Sequence, residues 1–339
     1  MRFVIFGVGA IGGMLGGKLA RAGYDVIGIA RGKHLEVLQK DGLTIETPTG
    51  DEVAKFPCVA DASDVTFTDD DIVIITVKTQ DFMAACEKLR DAGVHQQPIL
   101  CAQNGVEAER IALRVFPNVY GICVRLPTNF EKPGIIRSWG HPHPGNLDIG
   151  RFPKGKDAVC DKVVAAWIKA GYLAEAHSDV MIPKYDKLLG NLSNALQAVF
   201  GRTPPATEYF PILKKEGEAV YKAAGINTFD PTMVGRPPKA MTETPVKGET
   251  RPGTSSWQSL MRGTGTMESD YLNGEIMLLG RLHGVPTPAN DFFCRLAQKM
   301  ASSGAKPGSG DPAVVAKDFK AAMAQAEKSA AASRMTAAE

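Results

Sequence analysis

Three side chains able to move protons or hold polar groups recur in one stretch of the chain. Lys187 and Asn191 are four residues apart, and Asn194 follows seven residues after the lysine. At 3.6 residues per helical turn these spacings return to nearly one azimuth. Leu188, Leu189, Leu192, Leu196 and Val199 surround them, so a helix predicted over 183–199 carries a polar stripe on an apolar body. Such a stripe either lines a cavity or faces solvent. In the first case Lys187 is a candidate proton donor and the two amides are candidate substrate contacts. Lys78 and Asn104 each follow a short apolar run, 72–77 and 99–102. Ligands of open α/β sheets bind beyond such strand ends. Taken singly, the two also read as a solvated lysine and a turn-forming asparagine. Thr254-Ser255-Ser256-Trp257-Gln258 sets hydroxyls beside a tryptophan, where a carboxylate can bind, and leads toward Glu268. A lone glutamate is most often a surface residue.

The element that would bring these groups a reaction partner opens the chain. Gly7, Gly9 and Gly12 spell G-x-G-x-x-G after an apolar strand (3–6) and before an amphipathic helix that carries Ile11, Leu15 and Leu19. Gly23 ends that helix and a second strand starts at Asp25. The pattern alone is weak; in this β–turn–α–β context it is a dinucleotide fingerprint. Gly7 permits the tight turn, Gly9 lets backbone amides approach a pyrophosphate, and Gly12 lets helix and strand pack closely. Ala10 and Ile11 open the helix, whose N-terminal N–H groups and positive dipole end favour phosphate. The second strand runs into Ala30-Arg31-Gly32-Lys33-His34 with no acid where a ribose 2′-hydroxyl is usually bound; Asp25 is too early and Glu36 too late. Arg31 suits a 2′-phosphate instead, with Lys33 adding charge, so the expected cofactor is NADPH. A solvated basic turn is the plainer reading of the same residues. Hydride transfer to a carbonyl would then need an oriented substrate, a stabilised alkoxide and a proton.

Composition narrows the class. The chain has 339 residues, enough for two domains, and 39 basic against 37 acidic residues leave a net charge of +2. That balance gives no basic footprint for nucleic acid or a membrane surface. Cysteines stand at 58, 86, 101, 123, 160 and 294, without a C-x-x-C pair. The spacing suggests neither a disulfide framework nor a zinc site, so no metal is expected, and the thiols suit a reducing compartment. Arg2 and the apolar residues after it resemble a short signal peptide, but Gly7, Gly9, Gly12 and Gly13 would weaken a membrane helix and the stretch runs straight into the fingerprint. No run of 18 apolar residues is present, and a cytoplasmic location is expected.

Strands predicted at 3–6, 26–30, 72–77, 99–102 and 119–123 alternate with helical patterns at 82–89 and 106–115. This alternation predicts a doubly wound α/β sheet of Rossmann type. A hairpin or antiparallel addition is expected over 134–150, then a helix over 157–170 and a strand near 172–176. Beyond residue 178 helices dominate, at 183–199, 211–224 and 266–283, with Gly284 as a C-terminal stop. The Pro/Gly/Thr-rich stretch 227–254 is too long for a turn and reads as a partly ordered or functional loop. The expected domains are 1–178 for the dinucleotide and 179–325, all-helical, for substrate and dimerisation. The alanine-rich tail 326–339 is expected to fray.

These motifs, in this order, resemble the ketopantoate reductase (2-dehydropantoate 2-reductase) family. The likeness rests on the glycine motif, Ala30-Arg31-Gly32, Val77-Lys78-Thr79, Gln103-Asn104-Gly105, Lys187-Leu188 with Asn191, Ser255-Ser256-Trp257-Gln258, Glu268 with Asp270-Tyr271 and Asn273-Gly274, and Gly284-Val285-Pro286 with Asn290. It spans the chain to about residue 305. The resemblance implies a helical second domain like the C-terminal one of 6-phosphogluconate dehydrogenase, a small 2-oxo acid as partner and, as often in the family, a homodimer. It implies reduction of ketopantoate to pantoate, in pantothenate biosynthesis. Lys187 then looks like the general acid and Glu268 its partner near the reacting centre. Asn104 and Lys78 look like groups orienting cofactor and substrate, and Asn191 and Ser256 like substrate contacts. One position departs. The family commonly has a second asparagine eight residues after the lysine, holding the substrate hydroxyl; here that position is Ala195, and Asn194 is about 100° away round a helix. A relative acting on another 2-oxo acid or ketone, and a non-catalytic NADPH-binding sensor, are the competing readings.

Overall fold

The computed structural model describes residues 1–229, 241–263 and 265–336, with side chains to residue 329. Contacts group the chain into two units, Met1–Lys184 with Phe229–Arg251, and Tyr185–Thr228 with Pro252–Glu339.

The first unit runs β1 (Arg2–Phe6), α1 (Ala10–Arg21), β2 (Asp25–Ile29), α2 (Gly32–Lys40), β3 (Leu43–Thr47), β4 (Gly50–Ala54), β5 (Cys58–Val59), β6 (Asp71–Ile75), α3 (Phe82–Asp91), β7 (Ile99–Cys101), α4 (Ala108–Leu113), β8 (Val119–Arg125), β9 (Thr128–Lys132), β10 (Ile135–Ser138), β11 (Gly140–Pro142), β12 (Asn146–Arg151), α5 (Ala158–Lys169) and β13 (Leu173–Ala176). The main sheet has the order β13-β12-β8-β7-β6-β1-β2-β5. From β5 to β8 all neighbours are parallel, and β12 joins antiparallel to β8. In order of appearance the six parallel strands read 3-2-1-4-5-6, the Rossmann arrangement, with its switch point between β1 and β6. Alternate residues of a strand face opposite sides. Phe3 and Ile5 enter the core on one face, with Leu15 and Trp167; Val4 and Phe6 enter the other, with Phe82 and Leu89. Two buried faces explain why these strands read as unbroken apolar runs.

A four-stranded sheet, β4-β3-β10-β9, was not foreseen. Its strands are short and carry Thr44, Glu46, Asp51 and Glu52 among their apolar residues, so no clean period of two shows. The stretch 227–254, expected as a loop, contributes β14 (Met241–Glu243), paired antiparallel with β11. Beyond it Trp139 Nε1 donates to the Glu249 carbonyl at 3.0 Å, and the Lys247 ammonium pairs with Glu46 and, at 3.0 Å, with Asp51. Glu46 also takes Arg137 Nε at 2.6 Å, and these cations hold its carboxyl below the usual range against the opposing effect of burial. Residues 230–240 of that stretch lie outside the described ones.

Helix α6 (Met181–Asn191) starts in the first unit and ends in the second, where α7 (Ser193–Phe200), α8 (Pro204–Ala224), α9 (Ser255–Met261), α10 (Asn273–Leu282), α11 (Pro288–Ser302) and α12 (Pro312–Thr336) follow. In this contact grouping the first unit runs to Lys184, whose Nζ donates to Gln103 O and Ile122 O. The single helix expected over 183–199 is two, divided at Leu192. Leu192 keeps right-handed helical angles, so the winding continues while the hydrogen-bond ladder is interrupted. Helix α8 starts at Pro204, not near 211. Pro204 and Pro205 occupy the first turn, where a missing N–H costs nothing, and Pro211 is carried inside. The tail expected to fray from 326 is helical to Thr336, in line with its alanine content. Among the described residues no helix is long and apolar enough to cross a membrane.

Candidate active site

The turn after β1 is built around its glycines. Gly7 has φ +103°, a region closed to most side chains, and Gly7 N–H and Val8 N–H both donate to the Ile29 carbonyl of β2 (3.0 and 3.2 Å). Thr76, just past β6, donates its hydroxyl to Gly7 O at 2.5 Å. A Cβ at Gly12 would lie 2.2 Å from Gly7 O and 2.4 Å from Thr76 Oγ1, so only glycine lets α1 approach this turn. A Cβ at Gly9 would meet nothing within 4 Å, so the space beside this amide is open. Gly9 caps α1 without a side chain, no acid stands in the first turn, and Ala10, Ile11 and Gly12 present N–H groups without intrahelical partners. Open space, free amides and a positive dipole end fit a phosphate group of a dinucleotide.

Across the sheet order β7-β6-β1-β2, the loops at the C-terminal ends carry Asn104, Lys78, the glycine turn and Arg31 respectively. At the usual strand spacing these four span roughly 14 Å. Arg31 caps α2, is exposed, and makes no side-chain hydrogen bond or ion pair among the described residues. Lys33 pairs with Glu36 at 2.9 Å and is less free than Arg31. Lys78 and Asn104 are half-buried, and Gly105 beside Asn104 has φ +79°. Gln103 Nε2 bridges the two loops, donating to Ile75 O at 2.7 Å and Val77 O at 2.9 Å.

His34, in the basic turn after β2, has a structural role that its sequence context does not reveal. Its Nδ1 accepts from Gly134 N–H at 2.9 Å, so its Nε2 carries the proton and donates to Val8 O at 2.6 Å. Neutral His34 thereby ties the glycine turn to the β9–β10 hairpin, and burial lowers its pKa below the ordinary value of about 6.5. The unfolded chain takes up a proton at this histidine on acidification through about 6.5, where the folded protein refuses it. Its contribution is whole above that pH and is lost as pH falls toward the lowered folded value. The melting temperature is therefore expected to drop between pH 7 and 5.5 more steeply in the wild type than in His34→Gln; parallel curves would remove His34 from this account.

In the second unit, Lys187 and Asn191 lie on α6, Asn194 on α7, Ser256 on α9, and Glu268 in a single 3-10 turn (Glu268–Tyr271) just ahead of α10. Lys187 and Asn191 are half-buried; Asn194, Ser256 and Glu268 are buried. Asn194 Nδ2 donates to Ser255 Oγ at 3.4 Å, so α7 and α9 bring the asparagine beside the serine pair. Ser256 Oγ and Asn191 Oδ1 have no hydrogen-bond partner among the described residues. Buried polar atoms without partners are uncommon and are satisfied when a polar ligand binds.

Helix α10 contributes a residue with no separate role in the sequence reading. Asn273 Nδ2 donates to Leu192 O at 3.3 Å, at the α6–α7 division, and to Asn290 Oδ1 at 3.0 Å. Glu216 of α8 accepts from the Ala289 and Asn290 backbone N–H groups (2.8 and 2.9 Å) and from Asn290 Nδ2. Burial pushes its carboxyl above the usual range despite those three bonds. Asn273 and Asn290 are visible in sequence only as parts of the family-like motifs; Glu216 has no signal there.

The six cysteines are free and buried, and burial pushes the Cys58, Cys86 and Cys294 thiols up to about 12, so these are not thiolates at neutral pH. Among the described residues no His/Cys/Asp/Glu group is placed to hold a metal.

A Rossmann sheet with an open glycine turn, followed by a helical unit, is an arrangement suited to a nicotinamide-dependent oxidoreductase. The family models "Ketopantoate reductase PanE/ApbA" and "Ketopantoate reductase PanE/ApbA C terminal" match residues 3–154 and 179–301. The chain belongs to the ketopantoate reductase family, whose members act on CH–OH and carbonyl groups. A 2-dehydropantoate 2-reductase of Archaeoglobus fulgidus is 30% identical over 313 residues, covering 89% of this chain and 98% of that protein. A crystal structure of a PanE/ApbA family ketopantoate reductase from Ralstonia eutropha JMP134 has TM-score 0.75 at 28% identity, covering 90% and 99%. D-mandelate dehydrogenase, solved with NADH and anilino(oxo)acetate, shares the fold at TM-score 0.74 and 23% identity, covering 90% and 99%.

Proposed function

We propose that this chain reduces a 2-oxo acid with NADPH, the leading case being ketopantoate to pantoate within pantothenate biosynthesis. The observation that carries the reading is the family match on both halves, over stretches that hold the glycine turn and Lys187, Asn191, Ser256 and Glu268. The N–H groups of Ala10, Ile11 and Gly12 would hold the pyrophosphate, with Gly7 and Gly9 shaping the turn; Arg31 would hold the 2′-phosphate, and Asn104 and Lys78 the nicotinamide end. Bound NADPH supplies the hydride. Lys187 would donate a proton to the carbonyl oxygen as charge develops there, with Glu268 as its partner. Ser256 Oγ–H donates to the substrate carboxylate, and Asn191 Oδ1 accepts from a substrate hydroxyl. Their lack of partners among the described residues supports these roles. The expected domains, 1–178 for cofactor and 179–325 for substrate and dimerisation, a homodimer and a cytoplasmic location are part of the same reading.

Ala195 favours a second reading, a relative with another 2-oxo acid as substrate. Asn194, donating to Ser255, is the nearest amide in sequence to the altered position and a candidate substrate contact. NADPH oxidation with a panel of 2-oxo acids decides. Turnover of ketopantoate is expected to exceed that of 2-oxoisovalerate, which lacks the hydroxyl, by at least ~100-fold, as for a site that binds that group. Turnover of another 2-oxo acid alone would establish the second reading. Tight NADPH binding with no turnover would establish a sensor.

A further inference from the structure

The first unit encloses an ion pair that the proposed chemistry does not use. Lys184 Nζ lies 2.7 Å from Glu109 Oε1, and the two side chains are 2% and 0% exposed. Such a pair does little for stability, because desolvating two charges offsets their attraction. Burial pushes the Glu109 carboxyl above its usual range against the pull of Lys184. Neither Glu109 carboxylate oxygen has a hydrogen-bond partner of good geometry among the described residues, so Lys184 meets it as an ion pair. The ammonium has three N–H donors, and three oxygens lie within its reach. Besides Glu109 these are Gln103 O at 3.1 Å, two residues past β7, and Ile122 O at 3.3 Å, in the middle of β8. Gln103 passes the restraint on through its side chain to Ile75 O and Val77 O. A continuous polar chain thus runs from α4 through Lys184 and Gln103 to the loop after β6. Its fixed points are the immediate neighbours of Asn104 and Lys78.

We infer that Lys184, held by Glu109, is a positioning residue that sets the loops after β6 and β7 so that Asn104 and Lys78 meet the nicotinamide end of the dinucleotide. The inference rests on the reading of this unit as an NADPH site. A methionine at 184 has similar bulk and donates nothing, so Gln103 O loses its restraint. Glu109 would also be left as a buried unpaired carboxylate, a serious loss of stability. The informative protein is therefore Lys184→Met/Glu109→Leu, in which both charges go.

Melting temperature and equilibrium binding of two ligands, NADPH and 2′,5′-ADP, separate the outcomes. The second ligand has the 2′-phosphate and adenosine but no nicotinamide. Lys184→Met is expected to melt well below wild type and the double variant close to it. The double variant should bind NADPH about 10-fold more weakly, on the scale of one charged hydrogen bond, and 2′,5′-ADP within twofold of wild type. Wild-type affinity for NADPH in the stable double variant would overturn the inference, and so would equal weakening for both ligands. If the wild type binds neither ligand, the cofactor reading fails and this inference with it; the other outcomes bear on Lys184 alone.

Discussion

Replacing Lys187 with alanine is expected to lower kcat by about 10³-fold while NADPH affinity stays within a few-fold. Reduction of a ketone puts charge on its oxygen, and a positioned acid contributes on the order of 10²–10⁴ to such a step. Lys187 is half-buried on α6, one turn before Asn191, whose Oδ1 has no partner among the described residues, and near in sequence to the buried Asn194. None of the glycine turn, Arg31, Lys78 or Asn104 belongs to its unit, which is why cofactor binding should survive. Single-turnover NADPH oxidation and a fluorescence titration of NADPH measure the two quantities separately. Full activity in the variant would remove Lys187 from the mechanism. Equal loss of turnover and binding would show a damaged fold instead.

The second large effect belongs to Arg31. Arg31→Ala is expected to reduce kcat/KM with NADPH by about 10- to 100-fold and with NADH by less than threefold. A guanidinium on a phosphate makes charge-assisted, bidentate bonds worth about 1.5–3 kcal/mol. The Arg31 side chain is exposed and makes no hydrogen bond or ion pair among the described residues, so no side-chain contact is broken by its removal. Its exposure also means that salt screens the effect, and the NADPH preference should narrow as ionic strength rises. The ratio of kcat/KM for the two cofactors is the measurement. A wild-type ratio near one, or a ratio unchanged in the variant, would return Arg31 to the solvated basic turn that its sequence also permits.

What could be read beforehand follows from where the constraint lies. The parallel strands were legible because both faces are buried, as Phe3 and Val4 on opposite sides of β1 illustrate. The glycine turn was legible because its geometry excludes a side chain at Gly12 and requires positive φ at Gly7. The division at Leu192 was not. Leucine is an ordinary helix residue, and the feature coincides with a hydrogen bond from Asn273, 81 positions away. The roles of His34, Lys184 and Glu216 were hidden for the same reason. Each is defined by a partner distant in sequence: Gly134, Glu109 and Asn290. The small sheet was missed because its strands carry acids that only long-range cations, such as Lys247 and Arg137 on Glu46, render tolerable.

The return of residues 241–251 to the first unit bears on how the protein is made. A chain emerging from the ribosome folds its N-terminal part first. Here that part is incomplete when residue 184 emerges, because Trp139, almost fully buried in the finished protein, still awaits the Glu249 carbonyl, and Glu46 awaits Lys247. The Rossmann sheet can collapse early, but β11 lacks its partner strand and the indole N–H its acceptor until the chain has passed through the α8 segment and come back. The nascent protein therefore carries an unpaired strand edge through much of its synthesis, a natural point for a chaperone to act and for aggregation to begin.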